Sequence, residues 1–180
     1  MANRFKVVKG GPYPHFVTMS IVRWFPVFAA GPYFDIVLDS LRHLRDSRGL
    51  AVHAYVIMPT HMHAILSAGQ DDLSDVIRDF KRFTSREMLE QSDRDGNRLQ
   101  SWVFRNPSIK DSRAKSKVWQ DEFHPEVVFS QDFFLEKAGY LHTNPVRKGL
   151  VADAVSYYYS SALAFETGRM EPLEIDWLEW

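Results

Sequence analysis

Hydrophobic and polar residues alternate along several short segments of the chain, which is the pattern of half-buried β-strands. Residues 16–22 alternate in this way and predict the first strand. An apolar, β-branched run, Leu50–Met58, predicts a second strand, and Pro59-Thr60 predicts a turn into its hairpin partner, His61–Ala68. The short apolar run at residues 127–129 predicts the last strand.

Three other segments carry apolar residues at helical spacing. The first spans residues 34–44 and meets a stop signal at Gly49. The second has N-cap candidates at its start and spans residues 71–91, and the third spans residues 130–144 because Pro145 disfavours helical geometry in the residue before it. The order of elements predicts an α+β fold: a ferredoxin-like antiparallel sheet (β-α-β-β-α-β) with helices on one face and an additional C-terminal helix.

Length and composition restrict the class of protein. The 180 residues predict a single domain over residues 1–180. The hydrophobic share of 45% and the charged share of 25% exclude collagen-like, coiled-coil and disordered chains. The chain has no cysteine, which excludes disulfides, thiolate metal ligands and thiol nucleophiles. Because the sequence shows neither a signal-peptide core nor an apolar stretch long enough for a membrane span, we expect a cytoplasmic protein without membrane contact.

Charge is distributed unevenly along a chain whose net charge is −1. Residues 78–117 hold eleven Lys and Arg against six Asp and Glu, and their second half, residues 92–117, is polar enough to predict a basic loop. Residues 166–180 hold five acidic residues and one arginine, which predicts an acidic C-terminal tail. This asymmetry favours an anionic partner, although a solvated basic loop would give the same pattern.

Two histidines begin the predicted third strand. Side chains at positions i and i+2 of a strand point to the same face, so His61 and His63 converge while Met62 points to the opposite layer. Two convergent imidazoles are half of a metal site. Because cysteine is absent, oxygen or amide ligands would complete it, which favours Mg²⁺ or Mn²⁺ and leaves Zn²⁺ open. A polar strand face would also produce this pair of histidines.

The third predicted helix ends in Tyr-Leu-His-Thr-Asn-Pro, residues 140–145. Tyr140 and Asn144 are four residues apart and therefore share a helix face. A tyrosine beside a metal ion is a candidate nucleophile. A helical tyrosine that packs in the core is the alternative interpretation.

Three ordered blocks of sequence resemble the HUH single-tyrosine transposases, and most closely their REP-associated branch. The first is Tyr-Val-Ile-Met-Pro-Thr-His-Met-His at residues 55–63, in which two histidines flank one hydrophobic residue. The second is Val-Trp-Gln at residues 118–120 followed by Phe123, and the third runs from Tyr140 to residue 151. Glu122 departs from the pattern, since relatives commonly have a basic residue after the Trp-Gln pair.

The resemblance implies a small α+β nuclease that cuts and rejoins single-stranded DNA, often beside a hairpin. It implies that Tyr140 is the nucleophile, that His61 and His63 are metal ligands, and that Asn144 is the third ligand. The implied cofactor is Mg²⁺ or Mn²⁺, and the implied intermediate is a 5′-phosphotyrosine. The implied partner is single-stranded DNA that bears a hairpin, and an active site completed by a second copy in a homodimer is compatible with the resemblance.

Basic residues on the second helix and in the loop after it are expected to contact DNA phosphates. They are Arg78, Lys81, Arg82, Arg86, Arg105, Lys110, Arg113, Lys115 and Lys117. Trp102, Phe104 and Trp119 are interleaved with them and are candidates for base stacking or for core packing.

Two other functions remain compatible with the same residues. In a metal-dependent phosphodiesterase, the histidines would help to activate water and Tyr140 would only pack or donate a hydrogen bond. In a non-catalytic single-stranded nucleic-acid binding module, the aromatic residues would stack on bases without chemistry.

Overall fold

A four-stranded antiparallel sheet forms the centre of the computed structural model, which describes residues 13–29, 31–69, 72–107, 116–122 and 125–180. The strands follow the order β2-β3-β1-β4 across the sheet. Their bounds are β1 His15–Ser20, β2 Leu50–Met58, β3 His61–Ala68 and β4 Glu126–Val127. This order and the antiparallel pairing confirm the predicted ferredoxin-like α+β fold.

The helices agree with the sequence pattern except in three places, one of which is a short C-terminal helix, Ala162–Thr167, that the sequence pattern did not predict. The helices are α1 Gly31–Arg48, α2 Leu73–Arg94, α3 Arg98–Arg105, α4 Gln131–Arg147 and α5 Ala162–Thr167. The N-cap of α2 is Asp72, whose side chain accepts a hydrogen bond from the Ser74 amide, and Ser130 caps α4 through the Phe133 amide. Both caps belong to the segments in which the sequence predicted helix starts.

The prediction of an unbroken basic loop over residues 92–117 is wrong, because α3 lies inside it. Asn97 caps α3 through the amide of Gln100, and the helix buries Val103 and Phe104 while Leu99 and Trp102 remain exposed. With only eight residues, this amphipathic helix is too short to give a clear periodic signal.

The predicted end of the third helix at residue 144 is also wrong, because α4 continues through Pro145 to Arg147. Its last turn is closed by backbone hydrogen bonds from Lys148 to the Asn144 carbonyl and from Gly149 to the Val146 carbonyl. Gly149 has a φ of 69°, a left-handed conformation that suits glycine after a helix end. The helix therefore ends at the glycine stop that follows it and not at Pro145.

Helices cover both faces of the sheet rather than the single face predicted. The main core packs α1 and α2 against one face, which carries Val17, Met19 and Met62. A second core packs Phe134, Leu141 and other residues of α4 against the opposite face. His61 and His63 alternate with Met62 and therefore belong to the face that α4 covers.

The C-terminal segment runs along the free edge of β2. The amide of Asp176 donates to the Val52 carbonyl, and the Asp176 carboxylate accepts hydrogen bonds from Val52 and Arg45. The acidic tail thus lies beside α1 and β2. Within the described ranges, no helix has the length and apolar character required to cross a membrane.

A buried hydrogen bond attaches residues 116–120 to α2. The Trp119 indole donates to the Thr84 hydroxyl at 2.8 Å, and that hydroxyl donates to the Phe80 carbonyl at 2.7 Å. The Trp119 ring also packs against Phe80 and Phe28. Because Trp119 is buried, we assign it to core packing and not to base stacking.

We predict that Thr84→Val lowers the free energy of unfolding by about 1–3 kcal/mol, because it leaves the buried Trp119 indole without an acceptor. Urea denaturation measures this change. Thr143→Val is the matched control, since Thr143 makes the same hydrogen bond to a carbonyl one turn earlier but is exposed and has no indole partner. Its effect should stay within about 0.5 kcal/mol, and equal effects of the two substitutions would contradict the prediction.

Candidate active site

The two imidazoles lie side by side at one end of the sheet. In the β1–β3 register, Thr18 pairs with His63 and Ser20 pairs with His61. The ring centroids of His61 and His63 are 4.7 Å apart, with the ring planes at 77°. The convergence predicted from their spacing is therefore present in the structure.

Each imidazole has one ring nitrogen engaged by a threonine hydroxyl. The Nδ1 atom of His63 lies 2.8 Å from the Thr18 hydroxyl, and the Nδ1 atom of His61 lies 2.9 Å from the Thr60 hydroxyl. When Nδ1 carries the proton and donates, each Nε2 keeps its lone pair. Such a second hydrogen bond is the usual way in which proteins orient a metal-binding histidine.

Burial keeps both imidazoles neutral at physiological pH. Loss of hydration lowers the pKa of His63 to about 3, with a smaller contribution from His61. Loss of hydration also lowers the pKa of His61 to about 4, and the Lys148 ammonium contributes in the same direction. A neutral imidazole is the form that binds a metal ion.

Tyr140 projects from α4 toward this pair. Its ring centroid is 5.6 Å from that of His63 and 6.0 Å from that of Phe16, which itself stacks on His63 at 5.5 Å. The residue is 42% exposed, so it is not sealed in the core. The structure therefore brings together the phenol and the imidazoles, which are far apart in sequence.

Asn144 lies one helical turn after Tyr140 and is buried. Its side-chain amide donates to the Tyr140 carbonyl at 3.2 Å, an arrangement that leaves the side-chain oxygen as the atom it can offer to a ligand. Two cations follow on the same helix end. The Arg147 guanidinium lies 5.6 Å from the centre of the Tyr140 ring, and the charge of Lys148 is close enough to affect His61.

The donor set predicted from the sequence consists of two imidazole nitrogens, from His61 and His63, and one amide oxygen, from Asn144. Among the residues that the structure describes, no group of three His, Cys, Asp or Glu side chains could hold a metal ion. Three donors, two imidazole nitrogens and one amide oxygen, would leave several coordination positions of a divalent ion open to water or substrate, as in catalytic metal sites.

A strained turn forms one edge of the site. Arg23 and Trp24 follow β1 and have φ angles of 56° and 53°, a left-handed conformation that is rare for large side chains. Residues held in this way cost about 1–3 kcal/mol each and concentrate at functional sites. The Trp24 ring lies 5.6 Å from the His61 ring, and Trp24 is 55% exposed.

The predicted DNA-contacting cations on α2 lie on the other side of the sheet from the imidazoles. Three are exposed, and each has an acidic neighbour: Arg78 bonds Asp75 at 2.6 Å, Arg82 lies 3.1 Å from Asp79, and Arg86 lies 3.0 Å from Glu87. Arg105 pairs with Asp93 at 2.6 Å. Lys110, Arg113 and Lys115 lie outside the described residues.

Lys81 and Lys117 line a cavity of about 400 Å³ between α2 and residues 116–121. Lys81 donates to the Gln120 carbonyl at 2.9 Å, and Lys117 pairs with Asp121. Burial lowers the pKa of Lys81 to about 8, and Lys117 adds to that effect while Asp121 opposes it. Gln120 in turn hydrogen-bonds Ser20 and Ile21 at the end of β1, which brings this cavity to the same end of the sheet as the imidazoles.

Comparison with solved structures identifies proteins of similar fold. A REP-associated tyrosine transposase bound to a REP hairpin matches with a TM-score of 0.67 and 17% identity, over 100% of this chain and 95% of that chain. The chain has the fold of a REP-associated tyrosine transposase. A candidate transposase from Deinococcus radiodurans R1 matches with a TM-score of 0.45 and 17% identity, over 77% of this chain and 96% of its own. No protein-family model matches the sequence, and no curated protein matches it significantly.

Several residues at the site of this transposase fold were missed by the sequence analysis. Thr18 and Thr60 orient the imidazoles. The sequence indicates this role only through their positions, since Thr60 precedes His61 and Thr18 lies in the predicted strand that could pair with the histidine strand. Arg147 and Lys148 lie within the third sequence block, where two adjacent cations after the tyrosine could have been assigned to phosphate binding. Nothing in the sequence indicates the left-handed backbone of Trp24.

The depressed pKa of His63 predicts a loss of stability in acid. Between the ordinary value of 6.5 and the folded value of about 3, the unfolded state binds a proton that the folded state does not. The free energy of unfolding therefore decreases as pH falls below about 6.5. His63→Asn, which does not titrate, should reduce this slope.

Urea denaturation between pH 4.5 and 7.5 in the presence of a chelator measures the slope. Above pH 7, where the proton is absent from both states, the two proteins should show parallel dependences. An identical slope in His63→Asn and the parent protein between pH 4.5 and 6.5 would contradict the prediction.

Proposed function

We propose that this protein is a transposase-type enzyme that nicks and joins single-stranded DNA through a covalent bond to Tyr140. The observation that carries the proposal is the contact of the exposed Tyr140 ring on α4 with His63, one of two adjacent neutral imidazoles on β3. The fold of a REP-associated tyrosine transposase supports the same reaction class.

The proposed cofactor is Mg²⁺ or Mn²⁺, held by His61, His63 and Asn144. The neutral state of the imidazoles and the threonine partners of both Nδ1 atoms fit such a role. A bound divalent ion would offset the charge that develops on a phosphate oxygen. Mn²⁺ accepts imidazole nitrogen more readily than Mg²⁺ does.

Tyr140 would supply the attacking oxygen. A bond forms between the phenol oxygen and phosphorus, the bond from phosphorus to the 3′ oxygen breaks, and the proton lost by the phenol is balanced by the proton gained by the 3′-hydroxyl. One phosphodiester replaces another, so a later attack by a 3′-hydroxyl can reverse the step without an external energy source. Arg147 and Lys148 are suited to hold the phosphate beside the phenol.

The proposed substrate is a single strand bearing a hairpin, and the transposase that shares the fold is itself bound to a REP hairpin. Arg78, Arg82 and Arg86 on α2 would contact its phosphates, after exchanging their carboxylate partners for the DNA. A strand that reached both α2 and Tyr140 would pass the end of β1, where the cavity lined by Lys81 and Lys117 lies.

We predict that the full chain, mixed with a panel of hairpin-bearing single strands and Mn²⁺, forms a protein–DNA band that survives denaturation. Tyr140→Phe should eliminate this band because it removes the attacking oxygen, and a chelator should also eliminate it. Denaturing gels and intact mass measure the adduct. Tyr158→Phe is the matched control, since Tyr158 is 56% exposed and lies outside the site, and it should retain the band.

Strand cleavage that persists in Tyr140→Phe without an adduct would replace the proposal with a phosphodiesterase that uses water. If the unmodified chain bound the strands but did not cleave them, the result would support a non-catalytic nucleic-acid binding module instead.

The proposed phosphate contacts predict a change in salt dependence. Arg86→Gln should weaken binding of a hairpin-bearing single strand and reduce the slope of log affinity against log salt by about 1. Arg169→Gln is the matched control, because Arg169 is equally exposed and paired with Glu171 but lies in the C-terminal segment. Fluorescence anisotropy over a salt series measures both slopes, and equal slopes for the two variants would exclude α2 from the interface.

A further inference from the structure

The strained turn after β1 holds an exposed aromatic ring that neither the fold nor the proposed chemistry uses. Trp24 is absent from both hydrophobic cores and is 55% exposed. Its ring meets His61 edge to face at 5.6 Å. An exposed aromatic ring offers a face on which an unpaired base can stack.

The backbone conformation of Trp24 is maintained by its neighbour. Arg23, also left-handed, donates to the Asn106 carbonyl at 2.7 Å and to the Pro107 carbonyl at 3.3 Å. Its guanidinium also lies 5.2 Å from the centre of the Trp102 ring. These contacts attach the turn to the end of α3 and hold the indole beside the imidazoles despite the strain.

We propose that Trp24 forms a nucleobase-binding subsite, on which an unpaired base next to the reacting phosphate stacks. The proposal rests on the proposed function for the presence of a phosphate at the imidazoles. A base is joined to its phosphate through one sugar, so a phosphate held beside His61 brings a base within reach of the adjacent indole. Tryptophan offers a flat, sequence-tolerant surface for such a base.

Backbone strain without a contribution to the core is the observation that favours a ligand role over a structural one. A tryptophan retained for packing would be buried, and a turn retained only for geometry would be occupied by glycine at this φ. Lys148, whose charge also acts on His61, supplies a positive charge for the phosphate while Trp24 supplies a face for the base.

Substitution of Trp24 by glycine removes the ring but keeps the left-handed backbone conformation, so it tests the role of the ring alone. At a φ of 53°, glycine adopts the conformation without strain, so Trp24→Gly should fold with an unchanged or higher melting temperature. Trp24→Phe keeps an aromatic face. Trp177→Ala is the matched control, since Trp177 is also 55% exposed but packs against Phe165 in the C-terminal segment.

The first measurement is binding of a fluorescent oligo(dT) strand to the full-length chain in the presence of Mn²⁺. We expect Trp24→Gly to weaken binding about fivefold or more, Trp24→Phe to bind within about twofold of the parent, and Trp177→Ala to have no effect. The loss should be similar at low and high salt, because stacking does not release counterions. Irradiation of a strand containing 5-iododeoxyuridine should cross-link it to Trp24.

A Trp24→Gly variant that folds and binds oligo(dT) as the parent does would overturn the proposal. So would failure of the parent to bind the strand, a loss that Trp177→Ala shares, or cross-links that avoid Trp24. The adduct assay with Tyr140→Phe, run in parallel, tests the proposed function separately. An adduct with no effect of Trp24→Gly on binding would contradict only the proposed subsite. An effect of Trp24→Gly on binding with no adduct would contradict only the proposed chemistry.

Discussion

The pairing of β1 with β3 fixes the geometry on which the rest of the site depends. Because Thr18 lies opposite His63, one threonine hydroxyl orients one imidazole, and the two-residue period places His61 on the same face. A shift of the register by one residue would turn both imidazoles into the core that α1 and α2 fill. Met62, the apolar residue between them, opposes that shift because the shift would expose its side chain to the polar site.

Helix α4 completes the site from the other side. Its own core residues, Phe134 and Leu141, dock it on the face that carries the imidazoles, and this docking determines how close Tyr140 lies to His63. The continuation of the helix through Pro145 matters for the same reason, since it brings Arg147 and Lys148 to the phenol and to His61. A helix that ended at residue 144 would leave these cations without a fixed direction.

The sequence predicts the elements whose signals are local. The bounds of β2 and β3 were predicted correctly because Pro59-Thr60 marks the turn, and Ser130 was a correct start because capping chemistry is local. Within the site, the strand period was enough to predict that His61 and His63 converge. It was not enough for Trp24, whose position depends on Arg23 reaching the carbonyls that follow α3, a contact across 83 residues of sequence.

The paired charges explain how a chain with a net charge of −1 could still serve as a nucleic-acid enzyme. Exposed arginines of α2 lie beside carboxylates of the same helix, so a DNA phosphate gains only the difference between two ion pairs. Electrostatic attraction alone would then be weak, and much of the binding energy would have to come from contacts that carboxylates do not satisfy. Aromatic stacking is such a contact, because about half of the Trp24 side chain, 55%, is exposed when the described residues are considered. On this account, the exposed Trp24 ring supplies binding energy that helix α2, with its five basic and five acidic residues, does not.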